Sequence, residues 1–558
     1  MRTKILIVGG VAAGATAAAR ARRLSENADI TVLERGPYVS YANCGLPYFI
    51  SGDIEKRSKL LLQTPEGFDS RYRVKVLVRT EALEIDRAGK RVRARSPEGE
   101  RWIPYDRLIL AQGGEPLVPG VAGAEAPHVF RMWTVPDMDR LQAHLAAEHP
   151  RNAVVVGGGF VGLEMAEAFR KRGLDTTVVE LLPSVMASMD HEFGATIARE
   201  LEANGVRVAT GAGVRAVDAA TKEVELSTGQ RIPAEVVLFS VGVRPELALA
   251  RAAGLELGPS GGLLVDDRLR TSDPDVFAAG DMVEVVHKVS GRSVRVPLAG
   301  PANRQGRIAA SNALGQDLRY RGALGTSVVK VFEATAAQTG LSERAAREAG
   351  FAVGVAVVHK DHHAAYYPGA RELSLKLVYD RKTAQLLGAQ AFGHGGVEKR
   401  IDVLATALQG RMTLHDLAEL DLAYAPPYSS ANDPVNVSAF VGLNDLSGYS
   451  ALVTADELRE TLRERPEALL LDVRSEGEFE RSHVRGAMHL ALDDLRFAWE
   501  TLPRDRPIYL VCRSGFRAHL ALRILKERGF DRVVNVTGGH LSVLAAGGFE
   551  LEGTEETA

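Results

Sequence analysis

Lys4-Ile5-Leu6-Ile7-Val8-Gly9-Gly10-Val11-Ala12-Ala13-Gly14 joins an apolar run to a glycine turn, and an alanine-rich stretch ending in Arg20, Arg22 and Arg23 follows. A charged N-terminus before an apolar run also has the outline of a secretion signal. The next residues decide: Asp29-Ile30-Thr31-Val32-Leu33-Glu34 reads as a second strand, so strand, turn, helix and strand make a βαβ unit. The pattern returns about 150 residues on, as a strand at 153–156, the turn Gly157-Gly158-Gly159-Phe160-Val161-Gly162, a helix, and a strand at 176–180. Such a turn lets backbone N–H groups and a helix N-terminus approach a pyrophosphate, while the acid ending the next strand accepts from the ribose hydroxyls. The second turn fits fully, with Gly157, Gly159, Gly162 and Glu180. Leu181 and Leu182 follow Glu180, with no arginine to meet a 2′-phosphate, which favours NADH over NADPH. The first turn departs at Val11, where the middle glycine would stand. Glu34 and the downstream Gly280-Asp281 restore the reading, because an aspartate at a strand end can hydrogen-bond the ribityl or phosphate region of a flavin. Two dinucleotide sites in one chain point to electron transfer from NADH to FAD and on to a third group.

The chain has 558 residues, enough for three or four domains of about 150 residues each. Short strands at 74–79, 91–96 and 108–111 separate the two openings, and Gly113-Gly114-Glu115-Pro116 breaks the pattern after them. Short strands resume after Val241-Gly242-Val243-Arg244-Pro245. Residues 325–442 alternate strands at 327–332, 352–359 and 374–379 with a helical stretch near 400–409, residues 443–450 read as a linker, and a compact α/β segment runs from 451 on. The expected boundaries are 1–113 and 247–324 for a split flavin-binding domain, 114–246 for the nicotinamide-nucleotide domain, then 325–442, 443–450 and 451–558. Hydrophobic content of 46% and charged content of 25% describe a soluble globular chain. A net charge of −3 with both signs interspersed carries no nucleic-acid or membrane footprint. No stretch reaches the ~20 apolar residues that span a bilayer. Two cysteines exclude a disulfide framework and fit a reducing compartment, so a cytoplasmic protein is expected, and no metal site.

Each cysteine sits in a loop suited to a reacting sulfur. Cys44 lies in Ser40-Tyr41-Ala42-Asn43-Cys44-Gly45-Leu46-Pro47, and Cys512 in Cys512-Arg513-Ser514-Gly515-Phe516-Arg517. Only the thiolate attacks disulfide or sulfane sulfur, so a positively polarised loop around a lone cysteine is a chemical signal. A cysteine is often just a small buried hydrophobe, but that reading would need both loops to be accidental. Cys44 is expected to start a helix, with Asn43 near the cap and Pro47 in the first turn, so that the helix N-terminus lowers its pKa. With no neighbouring cysteine, Cys44 needs an outside sulfur or oxygen to complete a redox pair.

Both glycine turns, Ala111-Gln112-Gly113-Gly114, Val241-Gly242-Val243-Arg244-Pro245 and Ala279-Gly280-Asp281 resemble the pyridine nucleotide–disulfide oxidoreductase family over roughly residues 1–442. Gln112 departs from the threonine usual there. For FAD the resemblance implies Gly9, Gly10, Ala13, Gly14, Glu34 and Arg35 around the first turn, and Ala111, Gly113, Gly280, Asp281 and Ala299 further on. For the nicotinamide nucleotide it implies Gly157, Gly159, Gly162, Glu180 and Gly242. The lone cysteine resembles the single-cysteine branch, which holds coenzyme A–disulfide reductases, NADH-dependent persulfide reductases, and NADH oxidases and peroxidases. The first group implies that Cys44 cycles through a mixed disulfide with coenzyme A, and the last that it cycles through a sulfenic acid. Tyr366-Tyr367-Pro368-Gly369 and Tyr424-Ala425-Pro426-Pro427-Tyr428-Ser429-Ser430 resemble the interface domain of the coenzyme A–disulfide reductases. By that resemblance Tyr366 and Tyr424 reach Cys44 of the partner subunit; otherwise they are packing tyrosines, the commoner role. For anionic coenzyme A the candidates are Thr16, Arg20 and Arg23 on the first helix, Ser40 and Asn43 for the pantetheine arm, and Arg71 or Arg73. A solvated basic helix face is the plainer reading of any one of these arginines. Asn432 stands where the family often has lysine.

Leu471-Asp472-Val473-Arg474, His483-Val484-Arg485-Gly486-Ala487, the Cys512 loop and Thr537-Gly538-Gly539-His540 resemble a single rhodanese domain over about residues 451–555. A cysteine at the end of a buried strand, followed by a tight loop, receives several backbone N–H groups in an anion nest that stabilises a thiolate or persulfide. Arg513 and Arg517 add positive potential, with Arg517 counted among the catalytic candidates, while Asp472 and Arg474 are expected to be structural. Four residues separate Cys512 from Arg517, a smaller loop than the five of similar phosphatase loops, suiting sulfane sulfur over phosphate.

The expected architecture is α/β: two Rossmann-like dinucleotide-binding domains, an α+β dimerisation domain and a C-terminal α/β rhodanese domain. The expected function is that of a homodimeric FAD enzyme using NADH or NADPH to reduce coenzyme A persulfide, polysulfide or coenzyme A disulfide through Cys44, with Cys512 as a fused sulfurtransferase. The alternatives are an NADH oxidase or peroxidase cycling through Cys44 sulfenic acid and, from another class, a sulfur carrier or redox sensor.

Overall fold

The computed structural model describes residues 2–554. They form two compact units, residues up to 183 with 205–325, and residues 184–204 with those from 326 on. In the first unit, strand Lys4–Val8 is buried from Ile5 onward, as an unbroken apolar run requires when both faces of a parallel strand are covered. It pairs in parallel with Asp29–Leu33 and Arg107–Leu110 in the middle of a five-stranded sheet flanked by Lys75–Leu77 and Val276–Ala278. Each fully buried Ile or Leu there contributes roughly 1.5–3 kcal/mol. Helix Ala12–Leu24 packs its buried small residues Ala17, Ala18 and Ala21 toward helix Ala299–Ala313, which turns Gly306, Ala309 and Ala310 inward. The approach is close enough that a Cβ on Gly306 would stand 2.2 Å from the Ala13 carbonyl oxygen. At the helix end the buried Arg22 donates to the carbonyls of Ser25, Glu26, Ala28, Tyr72 and Arg73 at 2.7 to 2.9 Å, stapling the following loop to a distant one. The second parallel sheet repeats the pattern around Asn152–Val156, flanked by Asp175–Val179 and Val236–Phe239.

The second unit is built on a five-stranded antiparallel sheet in the order Ser327–Val331, Ala334–Gly340, Leu386–Gly393, Glu372–Asp380, Val353–Asp361. Residues 184–204, which fall inside the expected nicotinamide-nucleotide segment, pack here instead. Lys376 is the reason: it is buried, and its ammonium meets Asp190 at 2.9 Å, Glu343 at 2.8 Å, and Glu192. Asp190 and Glu192 stand at the start of helix His191–Ala203, so one lysine pins that helix to the sheet. Helix Pro434–Leu446 then runs through the first half of the expected 443–450 linker. A parallel five-stranded sheet closes the unit, with Ile508–Val511 at its centre. No helix among the described residues is long and apolar enough to cross a membrane.

Candidate active site and sulfur loop

A cleft in the first unit opens over the turn after strand Lys4–Val8. Gly9, Gly10, Ala13, Glu34, Arg35, Ala111, Gly113, Gly280 and Asp281 all line it, as expected from sequence. Gly9 needs its freedom: its φ is +100°, and a Cβ would lie 2.2 Å from the Ala111 carbonyl oxygen. Gly14 supports the turn from behind, since a Cβ there would stand 1.8 Å from the Gly9 carbonyl oxygen. Glu34 accepts from the Gly10 N–H at 2.9 Å and the Gly36 N–H at 2.7 Å, which leaves each oxygen one further lone pair. Ala299 does not line the cleft; Ala302, one turn further along the same helix, does. Gln112, the departure from family pattern, also lines it, and its buried Oε1 has no partner. Burial pushes the Asp281 carboxyl up to about 6. A glycine cradle for phosphates, with a carboxylate at one end and an orphaned buried acceptor along the wall, fits FAD.

The second turn repeats the geometry. Gly157 has φ of +106°, and a Cβ on Gly162 would stand 1.9 Å from the Gly157 carbonyl oxygen. A Cβ on Gly159 would meet nothing within 4 Å, so space is open at the N-terminus of helix Phe160–Lys171. Glu180 accepts from the Gly158 N–H at 2.7 Å and the Leu182 N–H at 2.9 Å. Leu181 and Leu182 are exposed and bring no cation to it. Gly242, with φ of +113°, lies beyond the end of strand Val236–Phe239. These residues fit a dinucleotide whose ribose keeps its hydroxyls.

Cys44 is exposed. It sits in the 3-10 turn Asn43–Gly45, ahead of helix Leu46–Ser51, so Pro47 is in the first turn of the helix but Cys44 is not. The expected lowering of its pKa is reversed. Although the residue is exposed, partial desolvation by the packed protein around it raises the thiol, and the carboxyls of Glu164 and Asp281 add to it, because a six-residue helix beginning after the cysteine opposes them weakly. Ser40, at φ of +48°, ties this loop to the cleft: its N–H donates to the Gly10 carbonyl at 2.8 Å. Asn43 lines the cleft, and its Oδ1 lies 3.8 Å from Cys44 Sγ. Sequence reading missed Glu164. It stands in helix Phe160–Lys171 among buried Gly162, Leu163, Met165 and Ala166, and Tyr48 donates to it at 3.1 Å. Burial pushes its carboxyl up to about 7, so it exchanges a proton near neutrality. Two acids one turn apart, Glu164 and Glu167, separated only by Met165 and Ala166, were the available signal.

Of the coenzyme A candidates, Thr16, Arg20 and Arg23 lie on helix Ala12–Leu24, beside helix Ala299–Ala313. Thr16 donates to Asn303 Oδ1 at 2.9 Å, and Arg20 to Ser311 Oγ at 3.0 Å. Arg20 is lowered by burial, then by Arg307 and Arg23, so three guanidinium groups share one stretch of surface. Arg307 and Asn303 are additions that sequence did not supply. Arg71, in the last turn of helix Pro65–Tyr72, is exposed, and the neighbouring Arg73 reaches Glu26 at 3.9 Å.

In the second unit the structure brings Tyr366 and Tyr424 together, with their hydroxyls 3.1 Å apart and both rings exposed. Buried Arg400 presents them. It donates to the His362 carbonyl at 2.7 Å and pairs with Asp433 at 2.9 Å, so the loop carrying Tyr366 and the segment after Tyr424 are tied to one guanidinium. Asn432 is exposed beside that tie.

Cys512 ends strand Ile508–Val511, buried. Of the expected nest of amides, Gly515 N–H donates to Sγ at 3.1 Å, with Gly515 at φ of +95°. Gly539 closes the back of the loop: a Cβ there would lie 2.3 Å from the Cys512 carbonyl oxygen. Arg517 forms a bidentate pair with Glu478, both contacts 2.7 Å. Asp472 and Arg474 are buried against each other, and Arg474 also donates to the Ser482 carbonyl at 2.6 Å, the geometry of a structural pair.

Three stretches of the chain match known family descriptions. Residues 3–306 match pyridine nucleotide-disulphide oxidoreductase, residues 326–434 its dimerisation domain, and residues 454–546 a rhodanese-like domain. The solved structure of reduced Bacillus anthracis CoADR-RHD is 40% identical, with a TM-score of 0.95 over 98% of each chain. A NAD-dependent persulfide reductase from A. fulgidus is 36% identical, with a TM-score of 0.90 over 97% of this chain and 99% of that one. Over 443 residues the chain is 34% identical to an NAD(P)H sulfur oxidoreductase (CoA-dependent) of Pyrococcus abyssi, covering 79% of this chain and 98% of that relative.

Proposed function

The chain belongs to the pyridine nucleotide-disulphide oxidoreductase family, and from that premise we propose that it is an NADH-dependent reductase of coenzyme A persulfide and coenzyme A disulfide, fused to a sulfurtransferase. One observation carries this reading: the chain has two cysteines, one in each unit, so Cys44 has no second thiol in its own unit and completes its redox pair with an external sulfur. FAD, when bound, takes a hydride from NADH and passes on two electrons. The Cys44 thiolate attacks the coenzyme A sulfur; an S–S bond to Cys44 forms, and hydrosulfide leaves from the persulfide, or coenzyme A thiolate from the disulfide. The two electrons from NADH then cleave the mixed disulfide and free coenzyme A thiol. The sum is coenzyme A persulfide, NADH and a proton giving coenzyme A thiol, hydrogen sulfide and NAD+. Arg20, Arg23 and Arg307 supply cations for the phosphates of coenzyme A. Cys512 accepts sulfane sulfur and hands it to coenzyme A.

The protein is a homodimer and acts in the cytoplasm. In it, the tyrosine pair of one protomer serves Cys44 of the partner subunit. One tyrosine hydroxyl donates to the other, which leaves a single O–H free to protonate the departing thiolate; the bond to Tyr424 raises Tyr366, so it stays a donor at neutral pH. Changing both tyrosines to phenylalanine is expected to slow turnover about a hundredfold, with flavin reduction by NADH in a stopped-flow trace unchanged. NADH is expected to exceed NADPH in kcat/KM by at least about tenfold, because a 2′-phosphate would meet the Glu180 carboxylate. Steady-state rates of Glu180→Ala with both nucleotides check this, and the gap narrows in the variant.

The deciding experiment follows NADH consumption without oxygen in the presence of coenzyme A and polysulfide. Hydrosulfide made in step with NADH consumed supports the reading. NADH spent only when oxygen or peroxide is admitted overturns it in favour of an oxidase or peroxidase.

A further inference from the structure

The two arginines that flank Cys512 are both held by carboxylates, one of them outside the rhodanese-like domain. Arg517 is bidentate to Glu478, whose carboxyl Arg517 holds down to about 2, so this pair persists across the neutral range. Arg513 lies 2.7 Å from Glu372, the first residue of strand Glu372–Asp380 in the antiparallel sheet. The neighbouring strand Val353–Asp361 builds the rear wall of the same loop. Val357 N–H donates to Thr537 Oγ1 at 2.8 Å, and half-buried His359 stands between Ser374 Oγ at 2.8 Å and Ser542 Oγ at 3.1 Å. Thr537 and Ser542 bracket the Gly538-Gly539 turn, from which the His540 N–H donates to the Cys512 carbonyl at 2.7 Å. A Cβ on Gly538 would stand 2.9 Å from Val357 and 3.0 Å from His359. The position of Glu372 against Arg513 is therefore built in. Beside these neutralised cations the loop presents Phe516, 67% exposed.

We propose that Glu372 is a specificity-determining residue of the Cys512 site: by neutralising Arg513 it turns the sulfur loop away from dianionic donors such as thiosulfate and toward donors of low charge, a polysulfane or an organic persulfide. This rests on the reading of Cys512 as a sulfur acceptor. In the step concerned, the Cys512 thiolate attacks the outer sulfur of the donor. A bond from Cys512 to that sulfur forms, the donor's S–S bond breaks, and its electron pair leaves with sulfite from thiosulfate, or with a thiolate from a persulfide. No external oxidant or reductant takes part.

The test uses the full-length protein and two readouts at low ionic strength. The first is thiocyanate formation from thiosulfate and cyanide. Glu372→Gln frees the Arg513 charge and is expected to raise kcat/KM for thiosulfate about three- to fivefold, a modest factor because the pair is half-exposed; adding Arg513→Gln cancels the gain. The second is the rate at which Cys512 is alkylated by iodoacetate and by uncharged iodoacetamide, read from the mass of its peptide. The iodoacetate rate is expected to rise by a similar factor in Glu372→Gln while the iodoacetamide rate holds. Equal changes with both reagents, or a gain that survives Arg513→Gln, would mean that Glu372 only braces the loop, and would overturn the proposal. If thiocyanate formation is the same in Cys512→Ser, the sulfurtransferase reading fails instead, and the alkylation ratio still decides the role of Glu372.

Discussion

Cys44→Ser is expected to lower NADH-dependent reduction of coenzyme A persulfide and of coenzyme A disulfide by at least about a thousandfold, because a serine hydroxyl cannot form or pass on a disulfide. The loss is confined to the acceptor half of the cycle. Cys44 lies outside both glycine cradles, so FAD content and the rate of flavin reduction by NADH are expected to stay near native values. Rapid mixing with NADH, followed by addition of coenzyme A persulfide, separates the halves: the variant bleaches normally and then fails to recover its colour. Native-like recovery would remove Cys44 from the route. The serine also tests the direct-oxygen route, since NADH turnover in air that survives the substitution bypasses the sulfur altogether.

Lys376→Met is expected to destabilise the second unit by about 3–5 kcal/mol, the cost of leaving buried carboxylates without their cation. Asp190, Glu192 and Glu343 all converge on this ammonium. Burial alone would raise Asp190 and Glu343, yet both lie below their ordinary values because Lys376 outweighs it. The same balance holds Lys376 above its ordinary value. Calorimetry is expected to show the corresponding transition about 10 °C lower at pH 8. The sign with pH follows from the carboxylates. In the native chain their contribution is full above the ordinary carboxylate range and is lost as pH falls through their lowered values. In the variant burial is unopposed, so protonation relieves the strain at a higher pH than in the native chain, and the difference between the two proteins narrows as pH falls. A constant difference from pH 8 to 5 would place the cost in packing instead of charge.

The features that local chemistry dictates were legible in the sequence. In both strand-to-helix turns glycines stand where a Cβ would strike a carbonyl, and both cysteine loops were marked by their neighbours. What escaped depends on partners distant in the chain. In Glu372–Asp380 the alternation Leu373, Leu375, Leu377 puts Lys376 on the face that reads as solvent. Only Asp190, Glu192 and Glu343 reveal that it is buried, and with it the departure of residues 184–204 from their expected domain. The thiol of Cys44 is raised by partial desolvation and by acids at 164 and 281, which no reading of its own loop could supply. Arg400 sits in an amphipathic helix as an ordinary charged residue, and its service to two tyrosine loops appears only when those loops meet. The helix that overran the 443–450 linker did so through Asp445, a polar residue suggesting a loop, which is buried and accepts from Tyr379.

Gene fusions are commonly pictured as autonomous machines on a tether, free to be exchanged between hosts. Strand Val353–Asp361 contradicts that picture here, because Val357 and His359 are side walls of a loop encoded some 180 residues later. A transplanted sulfurtransferase would arrive without a threonine and a serine matched to them, and cutting the chain at residue 450 would strip the loop of its backing. A change at Val357 or His359 is therefore felt in the turn that backs Cys512, although it lies outside the rhodanese-like stretch.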